Sequence, residues 1–129
     1  TGGMFKKRWG RTGDSPVIGA GTYADNNSCA VSCTGHGEYF IRHAVAFDVC
    51  ARYKYLKESV EKAADYIIHT ELNTNAGNGG LIAVDKLGNI AMPYNSGGMF
   101  RGFLYKEKGR PEIKKGCGIG KKIVVVGEK

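Results

Sequence analysis

Ser28-Cys29-Ala30-Val31-Ser32-Cys33-Thr34-Gly35-His36-Gly37-Glu38 passes from one periodicity to another. From Ser28 to Thr34 the residues alternate, with Ala30 and Ser32 on one face and Cys29, Val31 and Cys33 on the other, as in a strand. From Glu38 the period lengthens. Phe40, Ala44, Phe47 and Ala51, with Ile41 and Val45 beside them, recur at helical spacing and predict a helix to about Tyr55. Thr34-Gly35-His36-Gly37 is then a strand-to-helix turn.

Downstream, Ser59 is a suitable N-cap, with Glu61 in the first turn, for a second helix through Leu72. Its apolar stripe is Val60, Ala63, Ala64, Ile67 and Ile68. Asn73 to Gly80 reads as a loop. Leu81–Asp85 and Asn89–Pro93 read as strands joined by a hairpin turn at Lys86-Leu87-Gly88. Phe100–Tyr105 predicts a further strand, and Ile123–Val126 has strand composition. Upstream, residues 1–16 are irregular and end at Pro16, Val17–Ala24 is a short extended piece, and Asp25–Ser28 is a turn cluster. One strand, two consecutive helices and a run of strands fit a layered α/β architecture better than alternating βαβ units. No internal repeat is found.

The 129 residues suit one domain, with a basic stretch after about residue 105. No apolar run approaches the ~20 residues that cross a bilayer, and no signal-peptide pattern opens the chain, so a cytoplasmic setting is expected. Thr1 stands where an initiator methionine would, which reads as a processed product or a fragment. The net charge of +7 raises the question of nucleic acid. It is concentrated in Lys6-Lys7-Arg8 and between Lys106 and Lys122, without interleaved aromatics or a helix-turn-helix or zinc-finger pattern, so solubility or interface charge is favoured. Cys29, Cys33, Cys50 and Cys117 contain no CxxC pair, which argues against zinc or thioredoxin-like chemistry. Cys29 and Cys33 lie too far apart on one strand to bridge, so buried free thiols in a reducing compartment are expected.

Two segments carry chemistry. Gly10-Arg11-Thr12-Gly13-Asp14-Ser15-Pro16 places a cation and an anion three residues apart in a tight loop. It is either a surface ion pair or a pocket for a zwitterion, with Arg11 forking onto a carboxylate and Asp14 accepting from an ammonium. Thr34-Gly35-His36-Gly37 is either a hinge or an oxyanion hole built from a hydroxyl and backbone N–H groups. His36 lies in that turn, while His43 and His69 read as helix residues; none has metal-ligand spacing. A free N-terminal threonine such as Thr1 can serve as nucleophile and base at once, although a fragment boundary would look the same. No nucleophile elbow or P-loop is present.

Thr1-Gly2-Gly3-Met4, Gly10 to Ala24 and Ala30 to Glu38 together resemble the β-subunit of plant-type asparaginases, also called isoaspartyl or β-aspartyl-peptidases, which are N-terminal nucleophile hydrolases. Gly79–Asp85 and Met92-Pro93-Tyr94-Asn95 continue the likeness, which covers residues 1 to about 105. The resemblance implies a four-layer αββα sandwich of which this chain is the larger part of the β-subunit. That subunit is cut from a precursor and assembled with its α-subunit as an (αβ)2 dimer of heterodimers. The implied reaction is hydrolysis of L-asparagine or β-aspartyl peptides through a threonine nucleophile, with no cofactor, metal, nucleic acid or membrane. The family's Thr-Val-Gly nucleophile segment is absent from this sequence. Thr1 matches the second threonine of the site, which supports the nucleophile. Arg11 would bind the α-carboxylate and Asp14 the α-ammonium with the Gly37 backbone, while Thr34 and Gly35 would form the oxyanion hole. Competing readings are an inactive remnant or non-catalytic subunit, glycosylasparaginase, the threonine aspartase, and a basic nucleic-acid-binding module.

Overall fold

The computed structural model describes residues 6–106, 113–118 and 124–127, divided between two compact units, Thr1–Ser96 and Gly97–Lys129. The first unit carries a four-stranded antiparallel sheet of β1 (Thr22–Ala24), β2 (Cys29–Gly35), β3 (Gly79–Asp85) and β4 (Ile90–Ala91), in the order β1-β2-β3-β4. β2 and β3 pair along their whole length, from Cys29↔Asp85 at one end to Gly35↔Gly79 at the other. The alternation read in β2 holds: Cys29, Val31 and Cys33 are buried while Ala30 and Ser32 are exposed.

Three helices cover the buried face: α1 (Gly37–Arg42), α2 (Val45–Tyr55) and α3 (Val60–Tyr66), which continues as a π-helical segment Ile67–Leu72. Phe40, Val49, Ile67, Ile68 and Leu72 pack there with Val31, Cys33 and Leu81. One face of the sheet is thus dry and the other open, a common state for antiparallel sheets. α3 follows the sequence closely. The Ser59 hydroxyl accepts the Lys62 N–H at 3.2 Å as an N-cap, and all five residues of the expected stripe are buried.

The single helix expected from Glu38 to Tyr55 is instead two helices. Ala44 adopts φ 46°, ψ 47°, a left-handed conformation that ends one helix and redirects the next. The reason lies in the opening amides of α2. Ala46 N–H donates to Ala20 O at 3.0 Å and Phe47 N–H to Gly19 O at 2.8 Å, so the new helix is seated on the preceding loop. The buried face becomes Val45, Ala46, Val49 and Cys50, while Phe47, Ile41 and Ala44, members of the helical periodicity read in the sequence, are exposed.

Other boundaries shift for local reasons. Only Thr22–Ala24 of the expected 17–24 extended piece is strand, because Asp14 O and Val17 O accept amides from residues 17, 20 and 21 in successive turns. β3 begins at Gly79, two residues early, and β4 is confined to Ile90–Ala91. Its hairpin is shaped by Asp85, whose carboxylate accepts Leu87 N–H, Asn89 N–H and Asn89 Nδ2–H. These bonds hold the Asp85 carboxyl below the usual carboxylate range despite its burial. The second unit is a three-stranded antiparallel sheet of β5 (Arg101–Lys106), β6 (Ile113–Gly118) and β7 (Val124–Gly127). β5 and β7 fall within one residue of expectation. β6 was not expected, since Ile113-Lys114-Lys115-Gly116-Cys117-Gly118 lacks a strand's apolar alternation.

Candidate active site

The fold brings the two chemistry-bearing segments together. Asp14 is buried, 3% exposed, between two glycines. A Cβ on Gly21 would lie 2.3 Å from Asp14 O, and a Cβ on Gly37 would lie 2.8 Å from Asp14 N and 3.0 Å from Asp14 Oδ1. Only glycine permits the Arg11–Asp14 loop to approach the start of α1 this closely. Gly13, at φ +84°, supplies the sharp bend between the cation and the anion. Oδ2 of Asp14 is buried with no hydrogen-bond partner among the described residues. Burial pushes the Asp14 carboxyl above its ordinary value.

Arg11 reaches the same place from the loop. Its guanidinium pairs with the Glu38 carboxylate, next to Gly37. Glu38 is held below the usual carboxylate range by a bond to its own backbone amide and by Arg11. Arg11 and Asp14 therefore do not pair with each other. Each meets the strand-to-helix turn, the cation through Glu38 and the anion through Gly37.

At the end of β2, Thr34 and Gly35 face β3 through the pairs Thr34↔Gly80 and Gly35↔Gly79. Gly35 has φ +139°, and a Cβ there would lie 2.3 Å from Asn78 O. His36 N–H donates to the same carbonyl at 2.9 Å. A Cβ on Gly79 would lie 2.2 Å from Thr34 O and 2.8 Å from the Phe40 ring. The turn is thus set by backbone-on-backbone packing that only glycines allow.

Asn95 holds this packing from behind, a role that the sequence does not reveal. Its Oδ1 accepts Gly79 N–H at 2.8 Å, and its Nδ2 donates to Gly77 O at 2.8 Å and Ile68 O at 3.3 Å. Its own N–H donates to Gly79 O at 2.9 Å. Glu38 carries one signal in the sequence, an acidic residue one step beyond Gly37 and opposite in charge to Arg11.

The remaining expected site residues are placed as follows. Thr1 lies outside the described residues. His36 stands at the N-terminus of α1 with its ring 6.3 Å from that of Tyr39. His43 Nδ1 lies 3.5 Å from Glu71, and His69 Nε2 lies 3.5 Å from Asp65. Among the described residues no three His, Cys, Asp or Glu groups converge to hold a metal ion, and no helix is long and apolar enough to cross a membrane. Two cavities, of about 200 and 420 Å3, lie at the Cys29–Asp85 end of the sheet, and neither is lined by the expected site residues.

The asparaginase family model matches residues 1–113. The chain is 51% identical over 105 residues to an isoaspartyl peptidase of Salmonella typhimurium, covering 81% of this chain and 34% of that protein. It is 46% identical over 119 residues to an isoaspartyl peptidase of Escherichia coli, covering 84% and 37%. It is 50% identical over 102 residues to a probable isoaspartyl peptidase/L-asparaginase of Arabidopsis thaliana, covering 79% and 30%. The chain spans about a third of the length of these relatives. With glycines 13, 21, 35, 37 and 79 joining its loop to its strand-to-helix turn, the chain belongs to the plant-type asparaginase and isoaspartyl peptidase family of N-terminal nucleophile hydrolases.

Proposed function

We propose that this chain supplies the substrate-binding and oxyanion-stabilising part of a threonine-type amidohydrolase that cleaves the side-chain amide of L-asparagine and β-aspartyl peptide bonds. One observation carries the reading. A buried carboxylate with an unpartnered oxygen, Asp14, sits against Gly37, and the Arg11 guanidinium meets the next residue, Glu38. Such an oxygen is matched to an ammonium, and a planar guanidinium to a carboxylate. An aspartyl group bears both, at the spacing of one α-carbon.

With the α-ammonium on Asp14 and the α-carboxylate on Arg11, the substrate's side-chain carbonyl extends toward Thr34 and Gly35. The carboxylate competes with Glu38 for the guanidinium, which biases the site toward substrates that fill both positions. A threonine hydroxyl, contributed by a segment upstream of this chain, attacks the carbonyl carbon, and Thr1 hydrogen-bonds that nucleophile. The negative charge that develops on oxygen is held by the Thr34 hydroxyl and the Gly35 amide. Collapse breaks the C–N bond and releases ammonia or a peptide amine. Water then hydrolyses the ester to free aspartate and the threonine hydroxyl. These steps call for no metal or cofactor.

The open sheet face supports the four-layer αββα arrangement. Ile82 and Val84 are 47% and 42% exposed there, an apolar surface suited to a second sheet from the α-subunit, within an (αβ)2 assembly. The buried free thiols of Cys29, Cys33 and Cys50 support a reducing, cytoplasmic setting. The test uses the whole processed protein with β-Asp-Leu as substrate. Arg11→Ala should raise KM by about 10-fold or more, the loss of a charge-assisted pair of about 1.5–3 kcal/mol. Unchanged kinetics would remove Arg11 from the site. If the whole protein releases neither ammonia from asparagine nor amine from β-Asp-Leu, the non-catalytic reading stands instead.

A further inference from the structure

Cys29 at the start of β2 and Cys50 in α2 bring their sulfurs to 2.8 Å, with Cys50 Sγ also 3.1 Å from Cys29 O. Both thiols are free and buried, 3% and 2% exposed. A disulfide bond is about 2.05 Å long, so a movement of less than one ångström separates the pair from a covalent bond. We propose that Cys29 and Cys50 are a covalent modification site, a dithiol that a small peroxide converts into an intramolecular disulfide.

Neighbouring groups favour this pairing over others. Cys33 lies on the same face of β2 but about 13 Å along the strand from Cys29, beyond bridging distance. The contact between the two thiols pushes the Cys50 thiol below its ordinary value, and the same contact, with burial, pushes Cys29 up. Cys50 is therefore the sulfur better suited to attack. The Ser28 hydroxyl is buried next to Cys29 in sequence, with no hydrogen-bond partner among the described residues. A cavity of about 200 Å3 lined by Ala24, Asp25, Ser28, Cys29, Val84 and Asp85 lies at the same end of the sheet and brings solvent to the backbone that carries Cys29, so a peroxide reaches the buried sulfurs through local opening of this end.

The step balances with one hydrogen peroxide. One thiolate attacks a peroxide oxygen, the O–O bond breaks, and a sulfenic acid and water form. The second thiol attacks that sulfur, the S–O bond breaks, an S–S bond forms and a second water leaves. Both sulfurs are oxidised and the peroxide is reduced. The bond joins residues 21 apart in sequence. The closed loop contains Thr34, Gly35, Gly37 and Glu38, so the staple constrains β2 and α2 on either side of the candidate site. It does not depend on the activity assigned above.

The test uses the whole protein, treated with a few equivalents of hydrogen peroxide, denatured, alkylated and mapped by mass spectrometry. The expected result is a Cys29–Cys50 linked peptide two hydrogens lighter than its parts, and two fewer alkylatable thiols. Tm should rise by about 5 °C or more for a loop of this length, and a dithiol reductant should reverse it. Cys50→Ala should abolish the linked peptide, whereas Cys33→Ala should leave it. Should either variant fail to fold, the wild-type map decides by itself. Cys29 and Cys50 both still alkylatable, Cys29 bridged to Cys33 or Cys117, or oxidation to sulfinic acid without a bridge would each overturn the proposal.

Discussion

Asp14 shows how a residue proposed for binding works against the fold that carries it. Burial raises its pKa above the ordinary value of 3.8, so the folded chain binds the Asp14 proton more tightly than the unfolded chain does. Its contribution therefore favours folding below pH 3.8 and is lost as pH rises through the higher folded value. At neutral pH the ionised Asp14 costs stability. Asp14→Asn should leave stability unchanged or raise it by on the order of 1 kcal/mol, with Tm following. The same change should raise KM at least 10-fold for substrates with a free α-ammonium, through loss of a charged hydrogen bond of about 1.5–3 kcal/mol. In the wild type, KM should rise with acidification at a higher pH than an ordinary aspartate would give. Thermal melts and a pH series of KM check both halves, and a large fall in Tm would mean that Asp14 is a structural residue. At this scale the residue types were legible in the sequence and their geometry was not. Arg11 and Asp14 read as either a surface pair or a zwitterion pocket, and the structure shows that they do not pair with each other. That Arg11 would reach Glu38, and that Gly37 would press on Asp14, depends on chain closure across more than twenty residues.

The elements divide according to whether their signals are local. The α3 stripe and the two faces of β2 follow from side-chain period alone, and both were readable. The break at Ala44 was not, because alanine gives no hint of a left-handed conformation. That conformation follows from the docking of the α2 amides on Gly19 and Ala20, an interaction with a distant loop. Asn95 is the same kind of case. A lone asparagine after a short strand reads as a turn residue, yet its amide ties Gly77 and Gly79 to the π-helical segment at Ile68. Its truncation would leave the Gly79 N–H and two carbonyls without their partner. Asn95→Ala should therefore destabilise the protein by about 2–4 kcal/mol. It should also lower kcat more than it raises KM, since Gly79 packs on Gly35 at the proposed oxyanion hole, away from Arg11 and Asp14. Urea unfolding with steady-state kinetics on the folded variant separates the two effects. A variant with normal stability and normal kcat would show that Asn95 supports neither.

At the scale of the whole molecule, the sheet has one face packed by its own helices and one open face. The inner face was foreseeable from β2. The outer face was ambiguous, because Leu81-Ile82-Ala83-Val84 is apolar at every position and resembles a strand buried on both sides. Within this chain the outward pair, Ile82 and Val84, is close to half exposed. A strand apolar on both faces fits the second layer proposed above, and the chain accounts for only about a third of the length of its relatives. The consequence can be tested in the whole protein. Ile82→Lys would bury an ammonium in a sheet-to-sheet interface, so Tm should fall by the equivalent of about 3 kcal/mol or more, with loss of assembled protein in gel filtration. Leu87→Lys is the matched control. Leu87 is 76% exposed in the β3–β4 turn and lies off the sheet face, so the same charge there should cost less than about 0.5 kcal/mol. If Ile82→Lys is as benign as Leu87→Lys, the outer face meets solvent in the whole protein and the sandwich arrangement is wrong. If it alone is damaging, the face is an interior one, and the apolar character of β3 on both sides is explained.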